Sequence, residues 1–378
     1  MTTVTVAPLR IGPLVVDPPV VLAPMAGVTD AAYRRLCRSY GAGLYVSEMV
    51  SARALVEQDV NSARRISCSE DETVRSVQLY GVDPQTVAAA VRLLVEQEGV
   101  HHVDLNMGCP SPKVTRRGGG AALPVRTGLV GAIVAAAVAA AGAVPVTVKM
   151  RTGVDDAHLT YLEAGRAARD AGAAAVALHA RTAEQLYSGA ADWTAVARLK
   201  EALPDVPVLG NGDVWEAADA LAMQSRTGCD GVVVGRGCLG RPWLFRDLAD
   251  AFAGRPVQPP PLLRDVVQVM QEHVRLLVAH RDSERYGTRD FRKHVGWYLT
   301  GYPVGGVKRR QLSEVASIAQ VDDLLGELDP TTELPAAALR MPRGHTYGPK
   351  AVALPEGWLA SGAETGVPEG ADVWTSGG

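Results

Sequence analysis

One thiol in this sequence stands where it is better placed for chemistry than for packing. Cys109 follows a short apolar run within the segment 104–113, DLNMGCPSPK, on a turn bounded by glycine and proline. A cysteine that only fills a core is expected inside a helix or strand, where it behaves as a small hydrophobe. At the mouth of a loop, between Asn106 and Lys113, Cys109 is instead a candidate reactive group.

Other polar residues follow Val-rich apolar runs in the same way. Three of these runs have a polar residue at or near their end: the amide Gln78, the cation Lys149 and the imidazole His179. Two more runs end in glycine-rich turns, at 211–213 and 235–237, whose backbone N–H groups are suited to holding a phosphate. The alternatives are that the glycines serve only as tight turns and that His179 is a hydrogen-bonded core histidine.

The elements that must position these side chains alternate regularly. Short Val-rich runs and longer helical patterns follow one another eight times, which is the signature of parallel strands joined by crossover helices. We predict an α/β fold, a TIM (β/α)8 barrel, because its carboxyl strand ends would gather the polar residues at one mouth. The predicted strands are Val20–Ala23, Leu44–Glu48, Arg75–Leu79, His102–Asn106, Val146–Met150, Ala175–His179, Val208–Asn211 and Gly231–Gly235.

The barrel does not account for the whole chain. We assign the barrel to residues 10–255, and a proline-rich linker follows it. Helical periodicity without strand signals then predicts a smaller all-helical domain at 262–328. The remainder, 329–378, is rich in proline and glycine, so we expect an irregular or partly disordered tail.

Composition excludes several classes of protein. The chain has 378 residues, of which 47% are apolar, enough for a sizeable core. Its amino-terminal segment has no export signal, and its uncharged stretch is too weakly hydrophobic for a membrane span, so we expect a cytoplasmic protein without a membrane partner. Five cysteines without paired metal-ligand spacing indicate reduced thiols and no metal site. We expect a monomer.

Charge is unevenly distributed along the chain. The formal net charge is only −3, but residues 261–320 contain ten Lys or Arg against six Asp or Glu. A local excess of this kind can attract nucleic acid, although a charge run is more often a solvated surface. The candidate phosphate contacts are Arg285, Arg289, Arg292, Lys293, Lys308, Arg309 and Arg310, with His294, Trp297 and Tyr298 interleaved.

The motifs together resemble one family. The chain is similar to the tRNA-dihydrouridine synthases, particularly their bacterial B-type subgroup. The resemblance rests on LAPMAGVTD at 22–30, SEM at 47–49, QLYG at 78–81, DLNMGCP at 104–110, VKMR at 148–151, HART at 179–182 and RKHVGWY at 292–298. It covers the whole predicted barrel and extends into the helical domain, but not into the tail.

The resemblance implies a cofactor, a substrate and a role for the thiol. It implies FMN, reduced by NADPH, and a uridine in the D-loop region of tRNA as the substrate. Cys109 is then the general acid, donating a proton to C5 of the uracil while hydride reaches C6 from flavin N5. An unperturbed cysteine is mostly protonated at neutral pH, so this role needs no strong activation of the thiol.

The resemblance also assigns binding residues. It places the flavin against the backbone of Pro24, Met25 and Ala26, with its ring bonded by Gln78, Lys149 and His179. Its phosphate end would lie at Asn211, Gly212, Asp213, Gly235 and Arg236. The flipped-out uracil would contact Asn106, Arg151 and Tyr187. For Tyr187 the alternative is a surface aromatic on a long loop.

Two other functions remain open from the residues alone. One is an FMN-dependent TIM-barrel oxidoreductase that acts on a small pyrimidine or an enoate, and the basic helical domain argues against it. The other is a non-catalytic RNA-binding barrel that has lost its cofactor, which the retained Cys109, Lys149 and His179 disfavour. A yellow purified protein would separate the reductases from the binding module.

Overall fold

The computed structural model describes residues 7–41, 43–360, 362, 364–368 and 370–371. Its strands are β1 (Leu9–Ile11), β2 (Leu14–Val16), β3 (Val20–Leu22), β4 (Leu44–Ser51), β5 (Ser76–Tyr80), β6 (His102–Met107), β7 (Val146–Arg151), β8 (Ala175–His179), β9 (Val208–Asn211) and β10 (Gly231–Val234). Strands β3 to β10 pair in parallel around a closed barrel, with β10 hydrogen-bonded to β3. The predicted TIM barrel is confirmed.

Helices surround the barrel and continue after it. They are α1 (Ala31–Arg38), α2 (Ala52–Val56), α3 (Val60–Ile66), α4 (Pro84–Glu96), α5 (Pro112–Thr115), α6 (Thr127–Ala141), α7 (Tyr161–Asp170), α8 (Trp193–Ala202), α9 (Ala217–Thr227), α10 (Leu244–Phe252), α11 (Leu263–Arg281), α12 (Glu284–Tyr298), α13 (Gly306–Leu312) and α14 (Ile318–Gly326). Within the described residues, no helix combines the length and apolarity that crossing a membrane requires.

The strands begin and end close to the predicted positions because the apolar runs are short and bounded by turn residues. Strands β8 and β9 match the prediction, and β4 runs on to Ser51, beyond the predicted end at Glu48. Several helices begin at an aspartate whose side chain accepts a backbone N–H, as Asp30, Asp83 and Asp192 do. These caps fix the residue at which each loop at the mouth ends and its helix begins.

The two short strands before the barrel were not predicted. Strands β1 and β2 form an antiparallel hairpin. Its apolar side chains Leu9, Ile11 and Val16 join a core cluster with Leu44 and Leu209 of the barrel strands. These apolar side chains fill one part of the barrel interior, and the buried, hydrogen-bonded side chains of Ser76, His102 and Thr147 fill another.

The helices after the barrel pack on it through an apolar face. Helix α11 packs against α12, α14 and α1, the first helix of the barrel. Two histidines, His273 and His294, lie buried at this junction with ring centroids 4.4 Å apart. Tyr298 Oη is 2.9 Å from His273 Nδ1, so the end of α12 is tied to α11.

The described residues beyond 333 have little regular structure but lie against the barrel. We call the described residues within 334–368 the strap; they include two 3-10 turns, Ala336–Ala338 and Trp358–Ala360. Among the described residues of the strap, Ala338, Arg343 and Trp358 are buried. The strap is therefore irregular in backbone and yet packed.

Candidate active site

A cavity of about 570 Å³ opens at the carboxyl ends of the strands. This volume lies within the range of about 300–1,000 Å³ typical of small-molecule and cofactor sites. The predicted residues that line it are Pro24, Met25, Ala26, Gln78, Asn106, Cys109, Lys149, Arg151, His179, Tyr187 and Arg236. A smaller adjoining chamber of about 80 Å³ is lined by Asn211, Gly212, Asp213, Gly235 and Arg236.

The loop that carries Cys109 is held in place on both sides. The Asn106 side-chain oxygen accepts the backbone N–H groups of Gly108 and Cys109, at 3.2 and 2.9 Å. The Cys109 carbonyl accepts the Ala121 N–H at 2.9 Å, and the Gly108 carbonyl accepts Arg151 Nε at 3.0 Å. Hydrogen bonds to the backbone of this loop therefore hold the thiol in position.

The Cys109 environment favours the protonated thiol. Burial raises the pKa of Cys109, and this effect outweighs the opposing influence of the Ser111 backbone and the Arg151 charge. A thiol with a raised pKa is a poor nucleophile at neutral pH but an available proton donor.

A chain of hydrogen bonds runs from Asn106 into the barrel. Asn106 Nδ2 donates to Gln78 Oε1 at 2.8 Å, and Gln78 Nε2 donates to Asp104 Oδ2 at 2.6 Å. The other oxygen of Asp104 accepts Thr147 Oγ1 at 2.6 Å. Burial raises the pKa of Asp104 to about 6. Gln78, Asp104, Asn106 and Cys109 form what we call the thiol side of the cavity, and one amide hydrogen of Gln78 remains for a ligand.

The donors on the opposite wall of the cavity make fewer hydrogen bonds within the protein. Lys149 Nζ donates to Asn211 Oδ1 at 3.0 Å, and Asn211 Nδ2 donates to the Val233 carbonyl at 2.8 Å. His179 lies in the same wall, and in the described part of the chain its ring nitrogens have no hydrogen-bond partner. Burial lowers the pKa of His179 well below its usual range, so the ring is neutral and keeps one donor and one acceptor.

Glycine is required where the two turns of the chamber meet. A Cβ on Gly237 would lie 2.0 Å from the Val214 carbonyl oxygen, so the turns after β9 and β10 could not approach with a larger residue there. Gly212 has a φ of +130°, and a Cβ there would lie 2.7 Å from Ala191 Cβ. The prediction from these glycines alone left tight turns as an alternative. The structure shows turns that also line a chamber.

The chamber contains a buried donor without a partner. Arg181 is 2% exposed, and its Nη2 donates to both oxygens of Asp213 at 2.8 Å. Its Nη1 is buried and, within the described residues, is without a hydrogen-bond partner. Because an unmade bond to a buried guanidinium is costly, this donor indicates an acceptor supplied by a ligand. Lys149, His179, Arg181, Gly212, Gly235 and Arg236 form what we call the cation side.

Positive charge is concentrated on the cation side. Burial and the Arg151 charge lower the pKa of Lys149 to about 8, with Asp104 opposing them. Burial, with nearby Arg181 and Arg236, lowers the pKa of Arg151 to about 10 despite Tyr187 and Cys109. Cations that depress one another's pKa values are stabilised by an anion placed among them. The chamber therefore suits a phosphate group.

Tyr187 lies at the junction of the cavity and the chamber. The Arg236 guanidinium lies 4.5 Å from the Tyr187 ring centroid, and the Arg151 guanidinium 5.5 Å from it. The His179 ring centroid is 6.2 Å away. Tyr187 is thus a wall of the cavity and not an isolated surface aromatic, and two cations hold its ring.

Comparisons with known proteins identify the family. The model of the family "Dihydrouridine synthase (Dus)" matches residues 21–332. The chain belongs to the dihydrouridine synthase family. It is similar to a Mycobacterium tuberculosis protein named "Probable tRNA-dihydrouridine synthase", with 54% identity over 98% of this chain and 97% of that protein. It is also similar to "tRNA-dihydrouridine synthase B" of Shewanella oneidensis, with 40% identity over 77% of this chain and 89% of that protein.

Solved structures resemble this chain in fold. A 2-naphthoyl-CoA reductase aligns with a TM-score of 0.53 and 13% identity, over 76% of this chain and 58% of that chain. The histamine dehydrogenase from Rhizobium sp. 4-9 aligns with a TM-score of 0.51 and 13% identity, over 85% of this chain and 64% of that chain. At this identity the likeness shows the barrel fold alone.

The cavity is also lined by residues to which the sequence gave no role there. Arg181 stands two positions after His179, and this position at a strand end was the available signal. Lys293 and Trp297 of α12 line the cavity, so the helical region contributes to the site itself. Gly344 and His345 of the strap line it too, and no pattern in the sequence pointed to them.

Asp213 and Asn211 line the chamber, but their side chains are bonded to other residues of the protein. The Asp213 carboxylate is occupied by Arg181 and by the Ala191 N–H, at 2.8 and 2.7 Å. A carboxylate also repels a phosphate, so Asp213 can contribute to a phosphate site only through its backbone. Asn211 holds Lys149 by a side-chain hydrogen bond, which makes it a positioning residue in this family member.

The basic residues of the helical region fall into two groups. Arg292 and Arg309 donate to backbone carbonyls, and Lys308 pairs with Glu327, so these three stabilise the fold. The expectation that His294 and Tyr298 are interleaved for nucleic-acid contact is wrong, because both side chains are buried between helices. The exposed basic residues on this surface are Arg285, Arg289, Lys293 and Arg310.

Proposed function

We propose that this protein is a tRNA-dihydrouridine synthase that uses FMN and NADPH to reduce the C5–C6 double bond of a D-loop-region uridine. The observation that supports this most strongly is one cavity of about 570 Å³ that joins the Cys109 thiol to the donors of the cation side. A phosphate-bearing redox cofactor requires an anion-binding chamber, and the reduction of its substrate requires a proton donor that faces the same space.

The residues present fit FMN. Arg181 Nη1 lacks an acceptor within the described residues, and the chamber next to it has glycine turns and Arg236 for a phosphate group. The neutral His179 ring, Lys149 and the spare amide hydrogen of Gln78 suit the polar edge of the ring system. Pro24, Met25 and Ala26 line the same cavity and would flank it. The chemistry that FMN supplies when bound is hydride transfer from N5 to C6 of the uracil, after reduction by NADPH.

Cys109 holds the proton that the product needs at C5. Its raised pKa keeps the thiol protonated through the neutral range, and the side-chain oxygen of Asn106 holds its loop in one position. Asn106, Arg151 and Tyr187 line the space beside it and are the proposed contacts of the flipped-out uracil. Proton donation from a positioned group typically contributes about 10²- to 10⁴-fold to a rate.

The relatives' names and the exposed basic surface support tRNA as the substrate. Arg285, Arg289, Lys293 and Arg310 lie on the helical region, and Lys293 reaches the cavity wall. Cations on this surface would contact the phosphate backbone while the target base enters the cavity. A helical tRNA-binding domain at 262–328 is therefore part of the proposal.

The test uses purified protein with FMN and NADPH under anaerobic conditions. An unmodified tRNA transcript, free uridine and a small enoate are offered separately, and dihydrouridine is measured by mass spectrometry of the digested RNA. We expect a yellow protein that forms dihydrouridine in tRNA and leaves the small substrates unreduced. Equal reduction of the small substrates would favour the small-molecule oxidoreductase, and a colourless protein that does not take up FMN would favour the binding module.

A further inference from the structure

The strap is fastened to the barrel at several points around the mouth. Arg340 pairs with Glu216 and Asp219 at 2.8 and 3.1 Å, and the buried Arg343 donates to the Trp297 carbonyl at the end of α12. These contacts bring the chain to the edge of the cavity from the side of the helical region.

The strap then crosses the loops that follow three strands. The His345 carbonyl accepts Arg236 Nη1, in the loop after β10, at 2.9 Å. The Lys350 N–H donates to the Glu184 carbonyl, in the loop after β8, at 2.8 Å. Trp358 Nε1 donates to the Ala122 carbonyl, after β6, at 2.8 Å. The segment between Arg343 and Lys350 is thereby stretched along the rim of the cavity.

This rim segment presents two aromatic rings. His345 lines the cavity, and its ring centroid is 5.0 Å from that of Tyr347. Tyr347 is 63% exposed although the strap around it is tied down. An exposed aromatic side chain on a hydrogen-bonded segment next to a cavity is suited to a flat partner, because every nucleobase offers a π face.

The proposed reaction exposes nucleobases that such a side chain could bind. A uridine that leaves the stack to enter the cavity removes the stacking contacts of both nucleotides beside it. Those nucleotides must then lie at the rim, where the exposed Lys293 supplies positive charge. Aromatic rings interleaved with cations are the usual surface for unstacked bases of RNA.

We propose that His345 and Tyr347 of the strap stack on the nucleotides that flank the target uridine, so that the strap forms part of the RNA-binding site. This inference rests on the proposed function. The family model match ends at residue 332, before the strap begins, so the strap adds a contact surface to the part of the chain that defines the family.

The test compares tRNA binding and KM for wild-type protein with His345→Ala, Tyr347→Ala and the double variant. Loss of one stacking ring is expected to weaken binding about five- to hundredfold. Tyr347→Phe keeps the ring and is expected to bind like wild type. Met341→Ala is the matched control, because Met341 is 43% exposed on the same strap but is not aromatic and lies outside the segment between Arg343 and Lys350.

A second measurement separates stacking from a structural role. The substrate is a tRNA with abasic nucleotides beside the target uridine, and it should bind wild-type protein weakly. The double variant should then show no further loss of affinity, since both changes remove the same stacking interaction. Unchanged tRNA affinity in the double variant, or equal additional losses on abasic and intact tRNA, would overturn the inference. If wild-type protein makes no dihydrouridine in tRNA, that result contradicts the proposed function itself and not only the role of the strap.

Discussion

The two sides of the cavity are built differently. On the thiol side, Gln78 bonds both Asp104 and Asn106, and Asn106 also accepts the backbone N–H of Cys109. On the cation side, the ring of His179 and Nη1 of Arg181 have no hydrogen-bond partner within the described residues. Side chains that hydrogen-bond to one another hold the thiol in one position before any substrate binds. Buried donors without partners are available to hydrogen-bond a ligand. This difference indicates that the thiol side holds a proton donor in a fixed position and that the cation side binds a ligand.

The largest effect is expected from closing the cation side. Gly237→Ala would place a Cβ 2.0 Å from the Val214 carbonyl oxygen and push apart the turns after β9 and β10. We expect loss of bound flavin and a fall of about 1–3 kcal/mol in the free energy of unfolding. Flavin content is read from the visible spectrum and stability from denaturant unfolding.

The matched control for this substitution lies on a barrel helix. Gly131 is in α6, and nothing lies within 4 Å of the Cβ that Gly131→Ala would add. We expect a stabilisation of about 0.4–1 kcal/mol and full flavin content. Full flavin content in Gly237→Ala as well would show that the two turns do not hold the cofactor.

A smaller effect is expected from loosening the thiol side. Asn106→Ala removes the acceptor for the backbone N–H groups of Gly108 and Cys109 and the donor to Gln78. A displaced thiol should slow dihydrouridine formation about 10²-fold in a single turnover, while the flavin stays bound. Asn61→Ala, at an exposed position of α3, is the control. A variant with reduced flavin content and an unchanged rate per bound flavin would reverse the assignment of the two sides.

A change outside both sides should affect tRNA binding alone. Arg285, Arg289 and Arg310 are exposed and form no ion pair in the part of the chain described. Replacing the three by glutamine should weaken tRNA binding, and the slope of log K against log salt should fall by about 1 for each phosphate that the protein ceases to bind. The double variant Arg92→Gln and Arg198→Gln, on α4 and α8, should leave the slope unchanged. An unaltered slope in the triple variant would place the RNA elsewhere.

The smallest effect is expected from alkaline pH. Because burial raises the Cys109 pKa above the usual 9.0, the thiol stays protonated throughout the neutral range. The thiol itself should therefore cause no fall in the single-turnover rate at saturating tRNA from pH 7 to 9, and a fall within this interval would come from Lys149, whose pKa is about 8. A rate that rises with pH over this interval would indicate a thiolate nucleophile instead.

The sequence predicted the barrel and most of the cavity for a physical reason. Parallel strands bring their carboxyl ends together, so Cys109, Lys149 and His179 had to share a mouth once the alternation was recognised. It did not predict which donors lack partners, since Arg181 Nη1 depends on where Asp213 lies in a different loop. The contribution of His345 could not be predicted either, because an irregular chain has no periodicity that shows where it packs.

The central claim is that the Cys109 thiol supplies the proton in a tRNA-dihydrouridine synthase. The most direct test is a single turnover of prereduced Cys109→Ala with unmodified tRNA, compared with prereduced wild-type protein. We predict that the variant binds flavin and is reduced by NADPH, but forms dihydrouridine about 10²- to 10⁴-fold more slowly. Dihydrouridine formation by Cys109→Ala at the wild-type rate would contradict the account.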